Sequence, residues 1–449
     1  MDAIAHFGTA AVSSNPVAQA RECPVAVKPV AQARESARHS RAATGIPSAR
    51  ATGFQAWGNR IPSARASGFQ AWGNRIPSAR ATGFKHIASG FVCCVAAACL
   101  VLAVAVPGAA APIVPPGATP EKLFEGQVLT EGVAVGHDGL VYFSDITFSS
   151  VSRRADGSFP MGHIWRFDPA TGKTAIYRSP SGQSNGLKFD AAGNMIAALQ
   201  ADFGPRCLAR TDMATGETVV IAGLFDGRPL NSPNDITIDD RGRIYFSDPR
   251  YVGHEPVEQA VEAVYRRDPD GSLHRIITDA GKPNGVCVSP DQKTLYVGSH
   301  DTRILAFDRV LPGKVLPGQE LPGTGRPAAR KGTMQLLAYD LAADGSARFR
   351  KVLVDYAPED GPDGIVCDTE GNLYVACRDV KRPGIRVYDP EGKEIAEIPT
   401  ELPTNVGFGR GPDSNLLYIT AGKSLYRIRL NRQGNHPSRS TPVADGSGY

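Results

Sequence analysis

Beyond residue 112 the sequence has only four cysteines, Cys207, Cys287, Cys367 and Cys377. They are too few and too irregularly spaced for a disulfide framework or a zinc site. They read as buried free thiols, with Cys287 and Cys367 at nearly matching places in repeated strands. The sequence also has few aromatic residues, at 7%. Its charge is balanced once the ends are separated. Residues 1–85 carry 11 Lys+Arg against 3 Asp+Glu and residues 86–111 carry neither, so a whole-chain net of +4 leaves the remainder at −4. A mildly acidic body argues against a nucleic-acid partner.

Long apolar runs are equally scarce, and the single one is informative. Lys85-His86 is followed by the run from Ile87 to Val106 and then Pro-Gly-Ala-Ala-Ala-Pro112. A positive flank, an apolar run and a small-residue exit make up a secretory signal. The run also approaches the ~20 residues that cross a bilayer, so an uncleaved N-terminal anchor is the second reading. Pro112 disfavours cleavage after Ala111. Either reading predicts a secreted or periplasmic protein, or one anchored in a membrane with its folded part outside the cytoplasm. Upstream, the 15-residue phrase IPSARATGFQAWGNR starts at Ile46, at Ile61 with one change, and again at Ile76. It has no core-forming pattern, so residues 1–85 read as a disordered basic leader or an over-long translation start.

What the chain has in abundance is glycine (48) and proline (35), as suits many short strands joined by turns. One phrase recurs six times: a polar residue, an apolar strand, a tight turn and a second apolar strand. Glu131 opens GVAVGHDGLVYFSD, Asn185 opens GLKFDAAGNMIAAL, and Asn234 opens DITIDDRGRIYFSD. Asn284 opens GVCVSPDQKTLYVGS, Asp363 opens GIVCDTEGNLYVA, and Asn405 opens VGFGRGPDSNLLYITA. Further strand pairs follow each phrase, among them 163–178, 208–222, 263–278, RILAFDRV (303–310) and 385–399, several turning on Asp-Pro-x-Gly or Asp-Pro-x-x-Gly. Strand repeats of this length predict an all-β, six-bladed β-propeller of about four strands per blade over residues 120–432, with a disordered tail from 433 to 449 and almost no helix. The Pro/Gly-rich stretch Leu311 to Thr333 reads as a surface insertion. The apolar strand 123–129 is predicted to pair as the outer strand of the sixth blade, so that the ring has no free edge.

In a propeller the innermost strands line the central channel. Taken singly, each Asn-Gly or Asp-Gly is a turn dipeptide. Six polar residues in phase at the heads of six inner strands instead form a ring at one mouth: Glu131, Asn185, Asn234, Asn284, Asp363 and Asn405. The ring lacks His and Cys. Oxygen donors alone suit Ca²⁺ or Mg²⁺, and Mn²⁺ more weakly. The glycine that follows four of them lets the backbone pass close to its neighbours at the crowded hub. Gly182-Gln-Ser184-Asn-Gly186 matches a serine-hydrolase elbow in letters only, because that motif needs a strand before it and a helix after it.

The phrases LTEGVAV, NSPNDITID, KPNGVCVSPD and GPDGIVCDTEGNLYVA resemble the senescence-marker-protein/gluconolactonase/luciferin-regenerating-enzyme family across most of residues 120–430. The resemblance implies a six-bladed propeller holding a divalent ion, calcium first, with Mg²⁺, Mn²⁺ or Zn²⁺ as alternatives, and hydrolysis of a sugar lactone or similar ester. It implies metal ligation by Glu131, Asn284 and Asp363, by Asn234 at either metal or substrate, and a substrate-facing or supporting place for Asn185 and Asn405. Animal lactonases carry an Arg two residues before the position of Asn234, and here that position is Ser232. Arg250, Tyr251 or His300 are candidates to reach the mouth in its place. Asp363 is the candidate general base and His300, with a pKa nearer neutrality, the other. Two further readings stay open: an extracellular binding propeller with a purely structural calcium, and a relative of strictosidine synthase, against which both carboxylates and both Asn ligands argue. A monomer acting on a small molecule is the expected assembly.

Overall fold

The computed structural model describes residues 111–149, 151–301 and 332–437. The leader repeats, the apolar run, RILAFDRV, most of the 311–333 insertion and residues 438–449 lie outside the described residues. Among the described residues the only helical element is the short 3-10 turn Gly411–Asp413.

Six four-stranded antiparallel sheets follow one another along the chain, five of them with their first strand in sequence order innermost. The inner strands are Leu129–Val135, Ser184–Phe189, Ile236–Ile238, Pro283–Val288, Pro362–Cys367 and Pro403–Phe408. The sixth sheet is completed from the other end of the chain: Glu121–Glu125 pairs with Ser424–Arg429, setting Phe124 opposite Leu425. The closure is as predicted, but the strand lies earlier than the 123–129 expected. Leu129 already belongs to blade one, because Asp145 pulls the intervening residues into a tight corner. Its carboxylate accepts the N–H groups of Gln127 (2.6 Å), Val128 (3.0 Å) and Leu129 (3.2 Å) and the indole N–H of Trp165 (3.0 Å). Asp248 ends the same YFSD phrase in blade three and takes the N–H groups of Asn231 (2.8 Å) and Ser232 (2.7 Å). The repeated Asp is thus a backbone clamp at the entry to an inner strand, satisfying donors that would otherwise be orphaned.

The outer pair of blade four is supplied by Met334–Leu341 and Ala347–Asp355. The core is a ring of clusters packed between neighbouring blades. Val133 and Val135 face Leu416, Tyr418 and Leu425 of blade six, while Ala134 faces Leu187 and Phe189 of blade two. This period-two alternation, apolar on both sides, is what a strand buried on both faces requires. Packing continues past the sheets at both ends. Ile113 joins the blade-five/blade-six cluster, its carbonyl accepting the Asn431 N–H (2.9 Å). Residues 433–436 lie along blades five and six, where Asn435 N–H donates to Cys367 O (3.1 Å) and Gly434 N–H to Ser414 O (2.9 Å).

Candidate active site

The heads of five of the six inner strands are irregular. In blades one, two, four, five and six the pairing slips at the ring residue, between Glu131 and Ala134, Ser184 and Leu187, Pro283 and Val286, Pro362 and Ile365, and Pro403 and Asn405. Such a bulge bends the strand and re-aims a side chain, here toward the axis. The following glycine makes room for the next blade. A Cβ on Gly132 (φ +58°) would lie 1.8 Å from Asn185 O, on Gly186 2.6 Å from Asn234 O, on Gly285 2.1 Å from Asp363 O, and on Gly364 2.3 Å from Asn405 Cγ. Asn185, Asn234, Asp363 and Asn405 therefore each rest on the glycine of the blade before them. Asp235 stands in the glycine place of blade three and accepts the Val286 N–H of blade four (3.2 Å).

Glu131, Asn185, Asn234, Asn284 and Asp363 line one cavity of about 520 Å³, part of it open to solvent. Leu129, Ile146, Phe148 and Val252 supply its apolar wall, and Gln200, Tyr251, His300 and Arg378 its remaining polar lining. Asn405 is buried but does not line it. Its amide oxygen accepts the Val406 N–H (2.8 Å), and its Nδ2 faces Asp235 Oδ1 at 3.4 Å. Arg250 is also outside the lining: its guanidinium donates to Asn231 O, Glu255 O and Pro256 O within its own blade. Ser232, in the place of the expected Arg, accepts the Ala201 N–H (3.0 Å). Ser184 is fully buried and continues into a strand, so the elbow context is missing.

Arg378 is the cavity residue that the sequence reading missed. Its guanidinium donates to Asp363 Oδ2 (3.2 Å) and to Pro403 O (3.0 Å) and is almost completely buried. The signal was a matter of phase. Ile146, Gln200, His300 and Arg378 each stand one residue beyond the partner of the residue before the ring position, as the pairs Thr130–Asp145, Ser184–Leu199, Pro283–Ser299 and Pro362–Cys377 show. The rule that picks out His300 after YVGS picks out Arg378 after YVAC.

Three buried carboxylates sit close together here. Burial pushes Glu131 well above the usual carboxylate range, and the charges of Asp363 and Asp235 push it the same way. Burial also raises Asp363, opposed by the Arg378 guanidinium. Asp235 is raised by burial too, opposed by Lys188. A buried like-charge cluster of this kind is costly unless a cation joins it. Two amide oxygens point the same way: Asn185 Oδ1 and Asn284 Oδ1 are buried without a hydrogen-bond partner. Among the described residues no three His, Cys, Asp or Glu side chains form a ready-made metal cluster. The donor set is instead two carboxylates with Asn amides, which fits a hard divalent cation.

Fold and site together define a closed six-bladed propeller with an oxygen-lined pocket at one axial mouth. The chain matches the model of the SMP-30/gluconolactonase/LRE-like region over residues 129–321 and 332–423, and it belongs to that family. It is similar to the gluconolactonase of Zymomonas mobilis, at 30% identity over 58% of this chain and 65% of that one, just under two thirds of the relative's length. It is also similar to the pentonolactonase of Haloferax volcanii, at 28% identity over 58% of this chain and 74% of that one. Among solved structures, a gluconolactonase of Xanthomonas campestris superposes with a TM-score of 0.54 at 25% identity, covering 72% of this chain and 91% of that one.

Proposed function

We propose that this protein hydrolyses small lactones, sugar lactones first, in the pocket that Glu131, Asn185, Asn234, Asn284 and Asp363 line. The observation that carries the proposal is the pair of partnerless amide oxygens, Asn185 Oδ1 and Asn284 Oδ1, beside two buried carboxylates. The similarity to two lactonases supports the same class of substrate. Glu131, Asn234, Asn284 and Asp363 would hold a divalent cation, calcium before magnesium because calcium accepts many protein oxygens whereas magnesium keeps several of its waters. When bound, that cation supplies Lewis-acid stabilisation of negative charge on the lactone carbonyl oxygen.

The chain's own residues account for the remaining requirements. Asp363 Oδ1 or Oδ2 takes the proton of the attacking water, and the raised proton affinity that burial confers brings it toward the working range of a general base. Arg378 holds Asp363 in one orientation and offers a fixed guanidinium to the carboxylate that forms when the ring C–O bond breaks. Asn185 and Gln200 hydrogen-bond the hydroxyls of the substrate, and His300 is placed to return a proton to the leaving alkoxide. Leu129, Ile146, Phe148 and Val252 keep bulk water from the reacting carbonyl. The proposal also keeps the protein outside the cytoplasm, on the strength of the run from Ile87 to Val106; fractionation of expressing cells tests it.

A pH-indicator assay on a panel of aldonolactones and simple γ- and δ-lactones tests the function. Calcium-stimulated turnover, abolished by Glu131→Gln, is the expected result. Undiminished turnover in excess chelator would refute the metal-assisted reading, and silence across the panel would refute lactone hydrolysis.

A further inference from the structure

The channel has a second mouth, and its chemistry is the reverse of the first. The inner strands end there around a cavity of about 690 Å³, part of it open to solvent. Valines and the rings of Phe189 and Phe408 form its walls, and Lys188, Arg410 and His436 are the basic residues among its lining. Among the described residues no Asp or Glu belongs to that lining. The polypeptide past the last blade completes one side. The N–H of Asn435 is bonded to Cys367 O, and His436 Nε2 lies 2.8 Å from Gly409 O.

The two cationic side chains are incompletely used. Arg410 donates through Nε to Val135 O (2.8 Å). Burial pulls its pKa down, and no carboxylate opposes that pull. The Lys188 charge lowers Asp235, but among the described residues Lys188 has no carboxylate at ion-pair distance. His436 is pushed down to about 4, by burial first and then by Arg410. Guanidinium and ammonium groups held against apolar walls without counter-charges lose solvation that an anion would restore. Aromatic and valine walls disfavour a strongly hydrated inorganic ion and favour a guest with an apolar body.

We propose that the far mouth is a second ligand site, separate from the lactone pocket, which binds a small organic carboxylate by its charged end at Lys188 and Arg410 and its hydrocarbon end between Phe189 and Phe408. The site does not depend on the lactonase reading.

Calorimetric titration of the full chain with hexanoate, hexanamide and inorganic phosphate tests this. Hexanoate is expected to bind at least about tenfold more tightly than the uncharged hexanamide or than phosphate, since a charge-assisted contact in a dry site is worth about that factor or more. Lys188→Gln and Arg410→Gln are each expected to weaken hexanoate by about tenfold or more. Asp363→Asn, at the other mouth, should leave hexanoate binding unchanged. If Arg410→Gln fails to fold because Val135 O loses its donor, Lys188→Gln carries the test alone. Equal binding of hexanoate and hexanamide would overturn the charge recognition, and phosphate binding as tightly as hexanoate would overturn the apolar half. Absence of hexanoate binding, or binding that Lys188→Gln leaves intact, would overturn the site altogether.

Discussion

The two mouths of the channel are built from the same six strands and differ in almost every physical respect. At the entry end five of the six strands are bulged, and oxygen-bearing side chains gather on the axis with partnerless amides and carboxylates raised by their own burial. At the exit end the strands run regularly, and the lining turns to valine and phenylalanine with basic groups above them. Only a few residues separate Glu131 from Val135 and Asn185 from Lys188 and Phe189. The contrast shows that propeller symmetry fixes where a side chain goes, while bulge and residue type decide what it can do there. On the two proposals, one end would take a cation and the other an anion.

The sharpest way to break this comparison is to remove the charge at the entry end. Glu131→Gln or Asp363→Ala should lower lactone turnover by more than about 100-fold, since even residues that merely support a metal ligand cost 10–100-fold. Without added calcium the melting temperature should hold or rise in Glu131→Gln, where a buried carboxyl crowded by like charges is removed, and should fall in Asp363→Ala, which leaves the buried Arg378 guanidinium without its partner. A turnover loss shared equally by Lys188→Gln would mean that the two ends are not separate sites.

A second substitution tests the scaffold under the ring. Gly285→Ala places a methyl group 2.1 Å from Asp363 O, so backbone must move. Destabilisation of about 1–3 kcal/mol in urea unfolding is expected, together with weaker calcium binding. Unchanged calcium affinity would show that the close approach of blades four and five does not position the ring.

A smaller effect is expected at Arg378. Arg378→Lys keeps the charge but loses the planar fork that spans Asp363 and Pro403 O, and should raise KM by about tenfold through that lost geometry. An unaltered KM with a fall in kcat alone would confine Arg378 to holding Asp363.

The last prediction concerns pH. In the cation-free site burial lifts Glu131, Asp235 and Asp363, so lowering the pH populates protonated forms that cannot ligate a cation. Calcium affinity should therefore fall from pH 8 to pH 6, by up to about tenfold per unit for each proton displaced. Calorimetry at the two values checks it, and an affinity that ignores pH would place the cation away from these carboxylates.

Much of this was readable in the chain. The six phased phrases implied the blade count, and the ring followed because a residue at the same phase of each inner strand must face the same axis. The buried free state of Cys207, Cys287, Cys367 and Cys377 agrees with their spacing. Arg378 was readable by the phase rule that selects His300, but an Arg in a polar loop sequence carries no sign of burial. Asn405 looked identical to its ring partners. It faces Asp235 instead of the cavity because blade six has Val406, and blade three Asp235, where four other blades have glycine.

The sequence by itself determined the alternation that buries both faces of every inner strand, the turns that end it, and the oxygen chemistry at its head, because these depend on local residue type and a period of two. Tertiary structure alone decided which of those heads share a cavity, that Asp145 moves the closing strand to Glu121–Glu125, and that Lys188 and Arg410 share a mouth whose described lining holds no carboxylate. Each of these joins residues far apart in the chain, and their proximity exists only once the ring has closed.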